Sequence, residues 1–595
     1  MGQYILELWQ TTGLYGFLGL AEPITTEAGE LISFGWGNFV MILVGFLLFY
    51  LAIKKGFLMK KYIIPVFAAL ALLASCTAKF DEMNTDSTAL TASSVQAHMV
   101  FGRCMYHGMS NDHQRNFNLN DDMYAHYFAE GLGWTDYWRY NEGWGNIYWR
   151  DFYTERLPEY HLINTILGDK PEYNGMKAAN DIWNVILWLR VIDRYGDAPY
   201  KDSEGNYAGQ GVTMAYTPIK EIYPDLVSRL QNDVTLLGNP GSMTFGDYDP
   251  VYENDWSKWK KLANTLIMRL CMRMSNTAEA ASLKSAFSTA AGGAMNAASD
   301  YAHVHTDTSV WGDFYDRTFY DWANTFTSSD FMKMMNGNNP GYATGVVDPR
   351  RGFWFTEGEG ANGWDGFPNG NYEIDTRADV KNAHGGSGSF AKLNCYDKDG
   401  FFFFNFHNGR KENLAWCLAS YSETCFLKAE AALRGWISGN AEDFFKEGIK
   451  ASMDEVAFMI QQSGGTKTIS EAEKNAYIAA LPSFGTGENA LRSVMIQKWI
   501  ALFPNSAESW CDQRRTGYPD YFSGVFTYPT IHPSSLVTAG NIVQRIPYPD
   551  NEYNTNATMM PAKYKDGTRD QQSNLYWALG GEGNTQSKNT APKNL

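Results

Sequence analysis

From about residue 94 the chain carries apolar positions at the period of a helix. Ile182, Val185, Ile186, Leu189 and Ile192 recur three or four apart, so they share one helix face, and that face is expected to be buried. The pattern stops at Tyr195-Gly196-Asp197-Ala198-Pro199-Tyr200, where glycine and proline end a helix. Thr217-Pro218 opens another through Ile222, Leu226 and Leu230, and Trp259, Ala263, Leu266, Leu270 and Met274 line one face of the next. Between residues 300 and 410 the period fades, and glycine, asparagine and aromatics dominate. Asn336-Gly337-Asn338-Asn339-Pro340-Gly341 is loop sequence, as is the run from Gly358 through Trp364 to Gly370. The period then returns in Leu418, Tyr421, Cys425, Ala429, Ala432 and Trp436, and in Leu491, Met495, Trp499 and Phe503, with Glu442–Gln462 as a further helix between them. Pro504-Asn505-Ser506 breaks the last of these, and Ser506 is placed to cap a new helix. The tail from Lys563 is polar and without period. The pattern predicts a mainly α chain built of helix pairs, an α-solenoid scaffold with a large irregular insertion. No clean 34-residue repeat is present.

The first 93 residues read differently. Residues 1–58 hold no lysine or arginine before Lys54, and an apolar run covers Phe39–Ile53. With Trp36-Gly37-Asn38 ahead of it, the run is long enough for a marginal membrane span. Lys54, Lys55, Lys60 and Lys61 follow, which would place the linker in the cytoplasm and the N-terminus outside. A second signal begins at Met59-Lys60-Lys61, continues through an apolar run from Tyr62 to Ala74, and ends at Leu73-Ala74-Ser75-Cys76. A charged start, a short apolar stretch and small residues at a cut site make a secretory signal. Leu-Ala-Ser-Cys resembles the bacterial lipobox, in which the cysteine receives lipid and becomes the mature N-terminus. The other readings are a signal peptide with an incidental cysteine and a short buried helix. The expected division is an extra segment at 1–58, a lipoprotein signal at 59–75, a tether at 76–93 and one large domain at 94–595.

Gly37-Asn38-Phe39-Val40-Met41 and Tyr50-Leu51-Ala52-Ile53-Lys54-Lys55-Gly56-Phe57 resemble the N-terminus of the beta subunit of sodium-pumping decarboxylases such as oxaloacetate decarboxylase. The resemblance stops at Met59, and none of that family's later ion-binding helices follow. The pump activity is therefore not carried over. Two fused reading frames or an upstream start codon, with Met59 as the natural beginning, would explain the segment; a genuine N-terminal anchor is the alternative.

Composition narrows the function. A net charge of −16 argues against a nucleic-acid footprint. The 19 tryptophans and 35 tyrosines exceed what a core requires and suggest surfaces that stack on flat ligands, sugars above all. None of the seven cysteines forms a CxxC pair, which disfavours a zinc ribbon or a thioredoxin-like site. Cys271, Cys417 and Cys425 lie in helix-like apolar runs and read as small core residues. His98, His107 and His113 are poorly spaced for one helix face, His303 and His305 could share a strand face, and Asp247 and Asp249 offer too few oxygens for calcium. No metal or cofactor is expected.

Several stretches point to one family. They are Asp193–Tyr200, Trp256–Arg273, Glu430–Trp436, Gln497–Phe503 followed by Glu508-Ser509-Trp510, Arg514-Arg515-Thr516-Gly517-Tyr518-Pro519, and Arg545-Ile546-Pro547-Tyr548-Pro549. In this order they resemble the SusD/RagB family of outer-membrane lipoproteins. The resemblance implies tetratricopeptide-like helix pairs with loops forming a ligand face, and a position on the cell surface over a SusC-like TonB-dependent barrel transporter. It also implies capture of an oligosaccharide, or in some members a peptide, without catalysis. Lys79-Phe80-Asp81-Glu82 resembles the surface-export signal of such lipoproteins. Arg514-Arg515 reads as a structural pair for carboxylates such as Glu508, with an anion site as the alternative.

The aromatic-dense stretch from Trp134 to Trp149 is the first candidate ligand surface, and Trp311, Trp322, Trp354 and Trp364 are the second. A sugar presents an apolar C–H face that an indole can cover, while asparagine, aspartate and arginine bind its hydroxyls. Trp134, Trp138, Asn141, Trp311 and Trp364 are the expected ligand residues, although about half of such tryptophans serve a core. A glycoside hydrolase is the rival class, because some carboxylate pair always meets the spacing it requires. Lipidation at Cys76 gives a direct test: mass spectrometry of the mature protein should find a chain beginning at a lipidated Cys76, and Cys76→Ser should abolish the lipid adduct.

Overall fold

The protein is described from a computed structural model covering residues 96–109, 114–130, 138–205, 213–304, 325–359, 362–370, 390–394, 397, 399–401, 416–462, 464–561 and 570–595, with scattered positions earlier. The chain divides into two units, Met1–Val95 and Gln96–Leu595. In the first, Ile24–Thr25 pairs antiparallel with Leu31–Ser33. Cys76, the signal, the tether and most of the apolar run 39–53 lie outside the described residues.

In the second unit the longer helices are α1 (Ala97–Met109), α2 (Leu157–Leu167), α3 (Asn174–Tyr195), α4 (Ile219–Leu236), α5 (Trp256–Arg273), α6 (Ala280–Ala290), α7 (Tyr421–Leu433), α8 (Ala441–Gln462), α9 (Glu471–Ala480), α10 (Glu488–Leu502) and α11 (Ser506–Thr516). Side-chain oxygens set several of their starts, accepting from amides the first turn leaves unpaired. Asp255 accepts from the Ser257 and Lys258 amides at α5, Ser420 from Glu423 at α7, and Ser470 and Glu473 cap each other's backbone at α9. At α11 the cap is Asn505, and Ser506 is the first helical residue. The longer amide side chain of Asn505 reaches the Glu508 N–H, which moves the expected cap back by one. The stop after Tyr195 is as expected: Gly196 takes φ 101°, a conformation closed to most other residues.

Neighbouring helices pack in pairs, α3 on α4, α4 on α5, and α7 on both α8 and α10. Phe426, Phe445, Ile449, Leu491 and Met495 form the core between α7, α8 and α10. Among the described residues of the irregular region the strands are short. β1 (Phe128–Glu130) pairs with β3 (Thr325–Thr327), β2 (Ala302–Val304) with β6 (Trp416–Ala419), and β4 (Phe355–Thr356) with β5 (Lys392–Leu393), all antiparallel. Cys417 therefore sits on a strand, where a helix was expected, because residues 416–419 supply the edge that β2 requires. Cys271, Cys417 and Cys425 are buried and unpaired, and burial pushes each thiol up to about 12.

Between the helices runs a chain of buried ion pairs. Arg194 of α3 holds Asp121, Arg269 of α5 holds Glu423 of α7 at 2.6 Å, and Arg273 holds Glu508 of α11 at 2.6 Å. Lys498 of α10 meets Asp512 at 2.6 Å, and Arg515 bridges Glu430 of α7 at 2.6 Å and Asp512 at 2.9 Å. The double arginine is structural, but Glu508 is not its partner. Arg515 takes Glu430 and Asp512, while Arg514 donates to the carbonyls of Asp193 and Gln544 and lies 3.5 Å above the Trp510 ring. The polar tail returns over this network: Trp577 is fully buried against Arg273 and Arg514, and Gln586 donates to the Arg514 carbonyl. Only a cavity of about 30 Å³ remains among Arg190, Arg194, Arg269 and Arg514, room for a water.

Burial alone would raise the Glu430 carboxyl, but Arg515 and Arg434 outweigh it and hold the group below its usual value. Its stabilisation is present above the unfolded value and is lost on acidification. Glu455 of α8 behaves oppositely. Burial raises it to about 8, although it accepts from the Ser422 amide and hydroxyl. The unfolded chain ionises from about 4.5 upward, so this site costs stability as pH climbs from there to about 8 and holds that cost beyond. Glu455→Gln should remove the decline. Urea unfolding at pH 5, 7 and 9 should find the variant's advantage growing with pH, to on the order of a few kcal/mol.

Candidate functional site

The helix Ser329–Met335 follows β3 and is capped by Ser328, whose hydroxyl accepts from the Asp330 amide. Asn336 ends it, and the chain turns at Gly337 with φ 75°. A Cβ there would sit 2.1 Å from the Val346 carbonyl oxygen, so only glycine allows the loop to close. The returning strand of this loop is tied to the helical body. Buried Arg350 clasps Asp348 at 2.6 Å and donates to the Ser452 hydroxyl of α8 at 2.9 Å.

The next residue, Arg351, points to another partner. Its guanidinium stacks 3.9 Å from the Trp364 ring centroid. Asn336 fastens both members: its side-chain oxygen accepts from Arg351 at 2.8 Å, and its amide donates to the Trp364 carbonyl at 3.1 Å. On either side of Trp364, the Gly358 amide donates to the Gly363 carbonyl and the Asp365 amide to that of Asn362. Phe326, Phe367 and Phe390 pack on Ala129 of β1. Trp364 is half-buried, and Glu357, Glu359 and Asp365, near it in the chain, are exposed. Partial burial pushes the Arg351 guanidinium below its usual value, and Glu357 opposes that. An indole backed by a cation and fixed through its own carbonyl is a rigid stacking surface.

The other expected ligand residues lie elsewhere. Trp138 is 0% exposed, edge-on to Tyr521 and Tyr528. An indole sealed by two tyrosines has no face for a sugar, so Trp138 is a packing residue here. Asn141 is half-buried, and its carbonyl accepts from the Trp144 and Gly145 amides at the start of a helical turn. Trp134 and Trp311 lie outside the described residues. Asn336 and Arg351 were not anticipated. The loop run containing Asn336 was visible in the sequence, whereas no local pattern marks Arg351.

The described candidates for metal ligands are engaged elsewhere. Asp249 spends its carboxylate on the amides of Val251, Tyr252 and Asn254 and on the Trp259 indole. His107 lies 2.8 Å from Glu159, and His303 is buried on β2. Among the described residues no cluster of three metal-ligating side chains is present, and no helix is long and apolar enough to cross a membrane.

A family model described as SusD-like, covering the SusD and RagB outer membrane lipoproteins, matches residues 77–578. The chain belongs to the SusD/RagB family. Solved SusD-like structures share the fold. A chitin-binding protein is 24% identical with a TM-score of 0.64, covering 81% of this chain and 99% of its own. A chitin-binding SusD homologue from Flavobacterium johnsoniae is 21% identical with a TM-score of 0.64, covering 84% of this chain and all of its own. A SusD homologue from Bacteroides ovatus is 22% identical with a TM-score of 0.64, over 81% and 98%. No curated protein matches the sequence. The SusD-like match begins after Cys76, and the decarboxylase resemblance of residues 1–57 gains no support.

If Asn336 is the clasp that fixes Trp364, Asn336→Ala should speed exchange of the Gly358 and Asp365 amides while α7 and α10 keep their protection. Hydrogen-exchange mass spectrometry reads both.

Proposed function

We propose that this SusD-like protein binds an oligosaccharide at the cell surface, held there by lipid on Cys76, and passes it to a SusC-like TonB-dependent barrel. The carrying observation is Trp364, a partly exposed indole held rigid by Arg351 and Asn336 on a loop anchored to the helical scaffold. Such a ring covers the C–H face of a sugar without losing further rotamer freedom on binding. The exposed carboxylates near it in the chain, Glu357 and Asp365 first, are the acceptors for sugar hydroxyls in this reading. Trp134 and Trp311 are the further stacking residues of this reading. Two similar structures are described as chitin-binding, which makes chito-oligosaccharides the first ligands to try. No reaction is proposed: the protein binds and releases.

Incubating the mature protein with a glycan panel that includes chito-oligosaccharides should give retention without new reducing ends. Trp364→Ala should weaken retention about tenfold or more. New reducing ends abolished by a single carboxylate substitution would replace this reading with a hydrolase.

A further inference from the structure

A second groove, of about 170 Å³, lies where the C-terminal tail returns past the segment after α11. Ile542 and Leu579 contribute its apolar lining, and Phe522, 57% exposed, stands at its edge. Tyr521 lines it too, held by a buried relay. Asp330 lies 2.8 Å from His126 Nδ1, and His126 Nε2 lies 3.0 Å from the Tyr521 hydroxyl. Burial would raise the Asp330 carboxyl, but His126 and Thr527 hold it below its usual value. The Asp330 carboxyl and the Tyr521 hydroxyl thus engage the two ring nitrogens of His126. Tyr521 is thereby fixed at the groove wall, its hydroxyl committed to His126.

Charge distinguishes this groove. Asp520 lines it but is already engaged by Arg492 and Ser523. Lys588 is half-buried, with its ammonium 4.1 Å from the Tyr528 ring centroid. Among the described residues it makes no ion pair, in a protein of net charge −16. Ser587 and Thr590 add hydroxyls beside it. The volume is below the roughly 300–1,000 Å³ of drug-sized sites and suits a single ring.

We infer that this groove binds one carboxylate-bearing sugar residue, a hexuronate, with the ring on Phe522 and the carboxylate on Lys588. The site shares no lining residue with the Trp364 surface and takes acid where that surface, with exposed Glu357, Glu359 and Asp365 close by in the chain, does not. Titration calorimetry at low salt with D-galacturonate, D-glucuronate and D-glucose tests it, with trigalacturonate distinguishing a chain end from the free acid. Both uronates should bind, and glucose should bind at least about tenfold more weakly, as expected when a charge-assisted hydrogen bond is missing. Lys588→Gln and Phe522→Ala should each weaken uronate binding about tenfold, and Trp364→Ala should leave it unchanged. Absence of uronate binding, equal affinity for glucose, indifference to Lys588→Gln or loss with Trp364→Ala would each overturn the assignment.

Discussion

Buried charge is the constraint around which the fold is arranged. Arg269, Arg273, Arg514 and Arg515 lie almost wholly out of water, and a charge so placed is tolerable only when its donors are met. Their acceptors come from α3, α7, α11 and the stretch around Gln544. A hydrophobic contact tolerates sliding, but a bidentate clasp such as Arg515 on Glu430 does not. Sliding α7 by one residue along α11 would strand both charges. The pairs thereby set the register of the helices, while Phe426, Ile449 and Leu491 supply the apolar burial.

A scaffold held this firmly allows the rest of the chain to be irregular. The loop carrying Asn336 and Arg351 has little regular structure, yet Arg350 ties it to α8 through Ser452. Adjacent arginines thus do opposite things. Arg350 faces the body and is fully buried, whereas Arg351 faces outward and backs an indole. The candidate surface inherits its rigidity from the helices without being helical itself.

Much of the scaffold was legible in the sequence. The period through Ile182–Ile192 and Trp259–Met274 marked buried faces, and Gly196 marked a stop, because these depend on neighbours along the chain. The SusD-like motifs were legible as an ordered set. Long-range partners were not. Nothing local tells Arg515 to choose Glu430 over Glu508, or Asp249 to spend its carboxylate on nearby amides. Tryptophan was the least readable residue: Trp138 and Trp364 both sit in glycine- and polar-rich sequence, yet one is sealed between tyrosines and the other half-exposed. Cys417 failed for a related reason, since its strand exists only through pairing with residues far upstream.

The return of the tail over the arginines makes the charged interior depend on a stretch without helix or strand. Trp577 and Gln586 complete the surroundings of Arg514, and Asn594 reaches Glu488 and the Thr516 carbonyl. A protease that clipped this stretch before Trp577 would let water reach the Arg273 and Arg514 guanidiniums, so a cut at the surface would loosen the packing between helices rather than a fringe of the fold.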